Sequence, residues 1–337
     1  MKQIYSKYEC SGRLSAFARR LLGTGAVLVG AIAPLAASAE IDFPQRPIQL
    51  IVGYAAGGST DSCARALAHS AEDVLKQPVI IQNKPGAASA VSIGWLKTQK
   101  PDGYTIAILS TGAILNQLLE QKPTYDVRAD LSPIALVAQY QVGMVVRKDS
   151  PWRSISDVMA AAKTKADSVA YATAGQGTPQ HLTMERLAQS AGIKWVHVPY
   201  KSGPEAITAL LRGDVSVVAQ SAEWLPYVRD GRLRLISFFQ DERMKGYDDV
   251  PTLKESGFDL VAPSLLGVVA PKGTPEQVVG KLQNAFRQAA SSTGFKQCSD
   301  LFGIRVDYQP AEEFSKRIRD TVTFWEPTGR EVGKAMR

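Results

Sequence analysis

Cysteine and histidine are scarce in this 337-residue chain, three of each, and aromatic residues make up 8%. No C-x-x-C pair occurs, so the zinc and redox motifs built on that spacing are absent. His69, His181 and His197 do not form a metal-ligand pattern such as H-E-x-x-H, and no metal is expected. The glycine loop at Gly57-Gly58 is followed by no Gly-Lys-Ser/Thr and lacks the G-x-G-x-x-G spacing, which removes the P-loop and the dinucleotide fingerprint; no cofactor is expected. Ser59 is not in a G-x-S-x-G elbow and has no histidine placed as an obvious base. No basic stripe interleaved with aromatics is present, so nucleic-acid binding has no support.

The apolar stretch Leu21 to Leu35 is too short for a comfortable membrane span. It follows the basic residues Lys2, Lys7, Arg13, Arg19 and Arg20 and precedes Ala37-Ser38-Ala39, a small-x-small cleavage pattern. Residues 1–39 therefore read as a secretory signal, with an uncleaved N-terminal anchor as the alternative. That segment holds five of the 39 basic and one of the 32 acidic residues, so its removal lowers the formal charge from +7 to a mild +3. Cys63 and Cys298 survive processing; a secreted compartment allows a disulfide between them, and the spacing alone does not decide it.

What is present is organised around Ile48 to Leu67. An apolar run reads as a buried strand, Ala55-Ala56-Gly57-Gly58 as a turn, and Ser59-Thr60-Asp61 as the start of a helix with one of the three as N-cap. The unpaired N–H groups of a helix start carry the positive end of its dipole, so such a turn either closes an ordinary βα unit or holds an anion, most simply a carboxylate. Strands at 78–82 and 104–109 follow, the latter ending at Ser110-Thr111-Gly112. Two apolar runs within 134–146 suggest a crossing into a second domain. There the pattern recurs: a strand at 169–173 runs into a second glycine turn, Ala174 to Thr178, before a helix. Strands at 195–199 and 215–219 end at Tyr200-Lys201-Ser202 and at Gln220-Ser221-Ala222-Glu223-Trp224, and a strand at 233–239 reads as the return crossing. The segments 265–270, 274 onward and 311–325 read as a strand and two helices rejoining the first domain, with Pro275 at the first helical position.

Alternating strands and helices imply an α/β protein with parallel or mixed sheets and functional loops at the carboxyl ends of the strands. The expected architecture is two lobes, residues 40–138 with 240–337 and residues 139–239, joined by two crossing strands and closing on a cleft.

Several stretches carry a family likeness in order: FPQRPIQLIVGYAAGGSTDSCARALA (Phe43 to Ala68), QPVIIQNKPGAAS (Gln77 to Ser89), KPDGYTIAI (Lys100 to Ile108) and YDVRADLSPIALVA (Tyr125 to Ala138). YATAGQGTPQHL (Tyr171 to Leu182), VHVPYKSGPEAITALLRGDV (Val196 to Val215), DVPTLKESG (Asp249 to Gly257) and VVAPKGTP (Val268 to Pro275) continue it. The chain resembles the TctC/Bug family of periplasmic solute receptors, which serve tripartite tricarboxylate transporters. The resemblance implies a two-lobe type II periplasmic binding-protein fold, a periplasmic location, no catalysis, and a small organic carboxylate held between the lobes for delivery to membrane permease subunits. A monomer is expected. Carried over by position, the first-lobe contacts are Ala56, Gly57, Gly58, Ser59, Thr60 and Asp61, with Ser110 and Thr111; the second-lobe contacts are Ala174, Gly175, Gln176 and Thr178, with Lys201, Ser202, Ser221 and Ala222. Three departures from the family text bear on the ligand: Gly53 to Gly58 in place of Pro-Phe-x-Pro-Gly-Gly, Lys201-Ser202 in place of Lys-Gly, and Ala219 to Trp224 in place of an Asp-Asn version.

Each candidate has a plainer reading beside it. Ser59 and Thr60 are ligand hydroxyls or caps; Asp61, being anionic, suits a structural place near the helix start. His181 is a ligand contact or a packing group that orders the glycine turn, whereas His69 and His197 read as structural. Tyr200 and Trp224 are cleft walls or partial core, Lys201 attracts an anion or is merely solvated, and Tyr54 replaces a proline at the mouth. The rival functions are a sensor receptor that presents the same ligand to a signalling partner and a periplasmic enzyme acting on a small acid.

Overall fold

Strand and helix alternate along the chain in the computed structural model, which describes residues 42–262 and 264–335. The segment read as a secretory signal lies outside the described residues. The order begins β1 (Ile48–Val52), α1 (Ser59–Leu75), β2 (Val79–Asn83), a 3-10 turn at Ala87–Ser89, α2 (Ala90–Leu96), β3 (Thr105–Ser110), α3 (Thr111–Leu119), β4 (Leu131–Tyr140). It continues β5 (Val142–Arg147), α4 (Ile155–Thr164), β6 (Ala170–Thr173), α5 (Pro179–Ala191), β7 (Val196–Pro199), α6 (Gly203–Arg212), β8 (Val217–Ser221), a 3-10 turn at Ala222–Trp224, α7 (Leu225–Arg229), β9 (Leu233–Phe238). It ends β10 (Leu265–Pro271), α8 (Glu276–Ala290), α9 (Thr293–Leu301), β11 (Ile304–Pro310), α10 (Ala311–Ala335).

Among the described residues the strands form two mixed sheets, a six-stranded one ordered β11-β4-β10-β3-β1-β2 and a five-stranded one ordered β7-β6-β8-β5-β9. β1 pairs in parallel with β2 and β3, and β6 with β7 and β8. β10 runs antiparallel between β3 and β4, and β5 antiparallel between β8 and β9. Both sheets are covered on two faces, which is why their central strands are apolar almost throughout. In β1, Ile48, Leu50 and Val52 pack with Leu67 of α1 and Phe286 of α8, while Ile51 points the other way toward Ile93, Ile114 and Phe314. In β5, Met144 packs with Tyr171 and Leu187, and Val145 with Ile207 and Trp224 on the opposite face.

The crossing between sheets is short. β4 ends at Tyr140 and β5 begins at Val142, leaving Gln141 between them. The return differs from the expectation: β9 is an edge strand paired with β5, and the chain comes back through residues 239–264. Backbone pairing decides this, because every N–H along an apolar strand needs an acceptor and β5 supplies them. Gln240 ties the two passages together, accepting from the Val142 N–H at 2.9 Å and donating to the Ala262 carbonyl at 3.3 Å.

Local starts and stops follow the residues. Ser154 and Asp157 form a reciprocal capping box on α4. Thr178 and Ser202 cap α5 and α6, and Gly192 and Gly213 end those helices in the left-handed region. Two expectations are corrected. Gly58, not a side chain of Ser59, Thr60 or Asp61, is the N-cap of α1, because the turn already places Asp61 to accept from the Gly57 N–H at 3.0 Å. Pro275 is the N-cap of α8 rather than its first helical residue.

The lobes meet beyond the crossing as well. Leu115, Leu119 and Trp325 of the first lobe pack with Leu182 of the second. Arg186 and Gln189 on α5 donate to Thr328 and Glu331 on α10. Cys63 of α1 is joined to Cys298 of α9, residues 235 apart in sequence, fastening the helix before β11 to the first βα unit. Closing so long a loop restricts the unfolded chain, and loss of the bond should cost about 2–5 kcal/mol. Reduction, or Cys298→Ser, is expected to lower the melting temperature by roughly 5–15 °C. An unchanged melt in reductant, or two titratable thiols in the oxidised native protein, would contradict it.

Candidate functional site

The carboxyl ends of β1 and β3 in one sheet and of β6 and β8 in the other face one small, partly open cavity of about 40 Å³. Its wall is polar and mostly uncharged. From the first lobe come Tyr54, Gly58, Ser59, Thr60 and Ser110; from the second come Ala174, Thr178, Ser202 and Ser221. These nine were expected from the sequence, and the fold brings them together. Gly112, Tyr140, Gln180, Gly203, Gln220, Glu223 and Ser264 also line the wall, with Ala55 and Pro179. Among the described residues no Lys, Arg or His lines the cavity, and Glu223 is the one charged side chain there.

Four helices start at this wall: α1 at Gly58, α3 at Ser110, α5 at Thr178 and α6 at Ser202. Each N-terminus carries about half a positive charge on its free N–H groups. The side chains treat the four ends differently. Thr178 Oγ1 accepts from the His181 N–H at 3.3 Å, and Ser202 Oγ accepts from the Glu205 N–H at 3.5 Å. Neither α1 nor α3 has a side-chain cap. Ser110 Oγ instead lies 3.2 Å from the Tyr54 hydroxyl, and Thr60 Oγ1 lies 2.8 Å from the Tyr140 hydroxyl. Burial pushes the Tyr54 phenol up to about 12, so it stays a neutral hydroxyl.

One hydrogen bond crosses the cavity between the lobes. Ser59 Oγ donates to Glu223 Oε1 at 2.5 Å, within the range of a charge-assisted O–H···O⁻ contact. Gln220 Nε2 donates to Glu223 Oε2 at 3.2 Å, and Gln220 Oε1 accepts from the Ala174 N–H at 3.2 Å. Gly203 packs closely under this pair: a Cβ there would lie 2.7 Å from Gln220 Nε2 and 2.8 Å from Glu223 Cδ, so any larger residue would shift those side-chain ends.

A second hollow, about 530 Å³, opens beside the cavity. Gly175, Gln176, Tyr200 and Lys201 line it with Ala87 and Ala88, and Tyr54 and Ala174 border both spaces. The remaining expected residues point elsewhere. Ala56 and Gly57 are exposed on the turn, where Gly57 adopts φ +86°. Asp61 turns away from the cavity, held by Arg65 Nη2 at 2.9 Å and Asn83 Nδ2 at 2.8 Å; although burial opposes it, these bonds leave its carboxyl below the usual range. Thr111 Oγ1 accepts from the Leu265 N–H at 2.8 Å and so anchors β10. Ala222 is in the second-lobe core. Trp224 is there too, which answers the choice between cleft wall and core.

His181 orders the glycine turn. Its Nδ1 accepts from the Gly177 N–H at 3.1 Å, and its ring stacks on His197 at 4.1 Å. His197 in turn lies 2.8 Å from Thr173 Oγ1. The sequence reading missed Glu223, Gln220, Gln180 and Tyr140. The first two sit in Ala219 to Trp224, already noted as unusual; the other two carry no local pattern that separates a wall residue from a core one.

The family model for the tripartite tricarboxylate transporter family receptor matches residues 63–333. The chain belongs to this receptor family. A protein encoded in the gbd 5′ region of Cupriavidus necator is 39% identical over 292 residues, covering 86% of this chain and 89% of that one. BugT of Bordetella pertussis is 31% identical over 326 residues, covering 94% and 99%. Among solved structures, the periplasmic binding protein BugD superposes with TM-score 0.81 at 28% identity over 86% of this chain and 99% of its own. MatC of Rhodopseudomonas palustris, solved with bound malate, superposes with TM-score 0.80 at 26% identity over 85% of this chain and 100% of its own. The matched family is one of transporter receptors and BugD is a periplasmic binding protein, and that fold accounts for the two mixed sheets and the cavity between them.

The histidine pair gives the receptor a pH dependence. Burial pushes the His181 imidazole down to about 3, helped by repulsion from His197, and burial pushes His197 down to about 4. Above the ordinary value both folded and unfolded rings are neutral. Below it the unfolded chain binds protons that the folded one refuses, so stability falls as pH drops from about 6.5 toward about 4, by up to about 1.4 kcal/mol per pH unit per histidine. Urea melts across that window should show the fall, and His197→Phe should remove about half of the slope. A slope unchanged by the substitution would contradict the assignment.

Proposed function

We propose that this receptor captures a small organic carboxylate in the periplasm and delivers it to the permease of a tripartite transporter. The observation that carries the proposal is the convergence of four helix N-termini on one cavity wall that has no cationic side chain among the described residues. Such ends, reinforced by hydroxyls, hold a carboxylate oxygen through N–H donors that are already oriented. Malate bound to MatC is in keeping with this chemistry.

Capture proceeds by closure. Gly58, Ser59 and Thr60 belong to one lobe and Thr178, Ser202 and Ser221 to the other, so a ligand reaches both sets of contacts only when the lobes are together. Binding then shifts the population toward the closed form by its differential affinity for that form. The short passage at Gln141 and the return through residues 239–264 act as the hinge. A secretory signal at residues 1–39 would place the mature receptor in the periplasm, where the closed form docks on the permease.

A thermal-shift panel of small carboxylates, each beside its neutral amide, tests the reading. At about 1,000 times Kd a ligand that binds only the folded state stabilises by about 4 kcal/mol. That corresponds to a shift on the order of 10 °C. An acid that shifts the melt while its amide does not is the expected result. Equal shifts with acid and amide, or none across the panel, would overturn the carboxylate assignment.

A further inference from the structure

The cavity wall is chemically lopsided. On the first-lobe side α1 and α3 begin without side-chain caps, so their first-turn N–H groups remain available to an acceptor. On the second-lobe side Thr178 and Ser202 each take one N–H of α5 and α6, and beside those partly satisfied ends that side also presents acceptors. The Glu223 carboxylate, on a residue only 7% exposed, receives one bond from Ser59 and one from Gln220. An ionised carboxylate has about four lone-pair sites, so about two remain. Gln180, 4% exposed, uses its Nε2 to donate to Ser221 Oγ at 3.2 Å, and its buried Oε1 has no partner among the described residues. No cationic side chain of the wall answers either acceptor. A buried acceptor without a donor is costly, and a buried carboxylate without a countercharge more so.

Resting on the carboxylate reading above, we infer that the ligand is a small amino carboxylate. Its carboxylate meets the N-termini of α1 and α3, and its ammonium meets Glu223, with Gln180 Oε1 as a second acceptor. Glu223 is then the residue that sets specificity. A dicarboxylate in the same place would set its second negative charge against Glu223 in a water-poor cavity, where like charges repel strongly. An ammonium there is neutralised, and its three N–H donors match the vacant lone pairs.

The test compares ligands of equal shape that exchange hydroxyl for ammonium: L-lactate with L-alanine, L-malate with L-aspartate, 2-hydroxyglutarate with L-glutamate, and 4-hydroxybutyrate with 4-aminobutyrate. Each is titrated calorimetrically into the protein beside its neutral amide. In the pair of the right length the amino member should bind at least about tenfold more tightly, since a site built around buried acceptors rejects an analogue lacking the donors. Glu223→Gln should bring the two within about threefold, and Glu223→Asp, which keeps the charge, should keep the preference. The wild-type ratio decides the matter even if E223Q does not fold. Hydroxy acids that bind as tightly as their amino partners would overturn the role of Glu223 and leave the carboxylate reading standing. Binding by the neutral amides alone, or by no member of the panel, would overturn both.

Discussion

An α-helix begins with N–H groups that its own carbonyls cannot reach, and they must find acceptors elsewhere. In this protein four helices begin against one cavity, and much of the fold can be read as the means of bringing those four ends together. Parallel pairing of β1 with β3 and of β6 with β8 puts the following loops on one edge of each sheet. Antiparallel β10 and β5 lock the centres of the two sheets and start at that same edge, where Ser264, just before β10, joins the wall. The single residue between β4 and β5 then sets the two edges face to face. A positive potential is thereby built from backbone alone.

The same constraint explains where the side chains differ. Where a helix end is capped by its own Thr or Ser, its donors are partly satisfied and the neighbouring side chains are free to be acceptors. Where the end is uncapped, the nearby hydroxyls are engaged with one another, Ser110 with Tyr54 and Thr60 with Tyr140. Polar groups of the wall thus form small closed sets, which keeps them oriented before any ligand arrives. Around this, α10 reaches from the first lobe to α5 of the second, and the Cys63–Cys298 bond holds α9 on α1.

Much was legible from one dimension. The run IQLIV before a glycine turn can hardly be anything but a buried strand, since its residues split between two apolar clusters on opposite faces. The glycine turn through Thr178 and the strand tip at Ser202 were read as leading into helices, and helices do follow them, with Thr178 and Ser202 as their caps. By contrast, β11 went unread because it is an edge strand in which charged Arg305 and Asp307 interrupt the apolar pattern. The nine-residue α9 went unread because its sequence, TGFKQCSDL, shows too little periodicity.

The sequence by itself determined the two-lobe α/β class, most of the elements in their order, the glycine turns and nine of the residues around the cavity. These are local matters: apolar period, turn chemistry and caps act over a few residues and leave their mark in the text. Only the tertiary structure decided that Cys63 meets Cys298, that His181 packs on His197, that Asp61 faces away from the cavity, and that Glu223 reaches Ser59 across it. The contacts of Cys63 and Glu223 join residues 235 and 164 positions apart. Their geometry is set by how two sheets twist and how far apart the lobes come to rest. No short-range pattern encodes that distance, and so the one buried charge of the site became visible only in the folded chain.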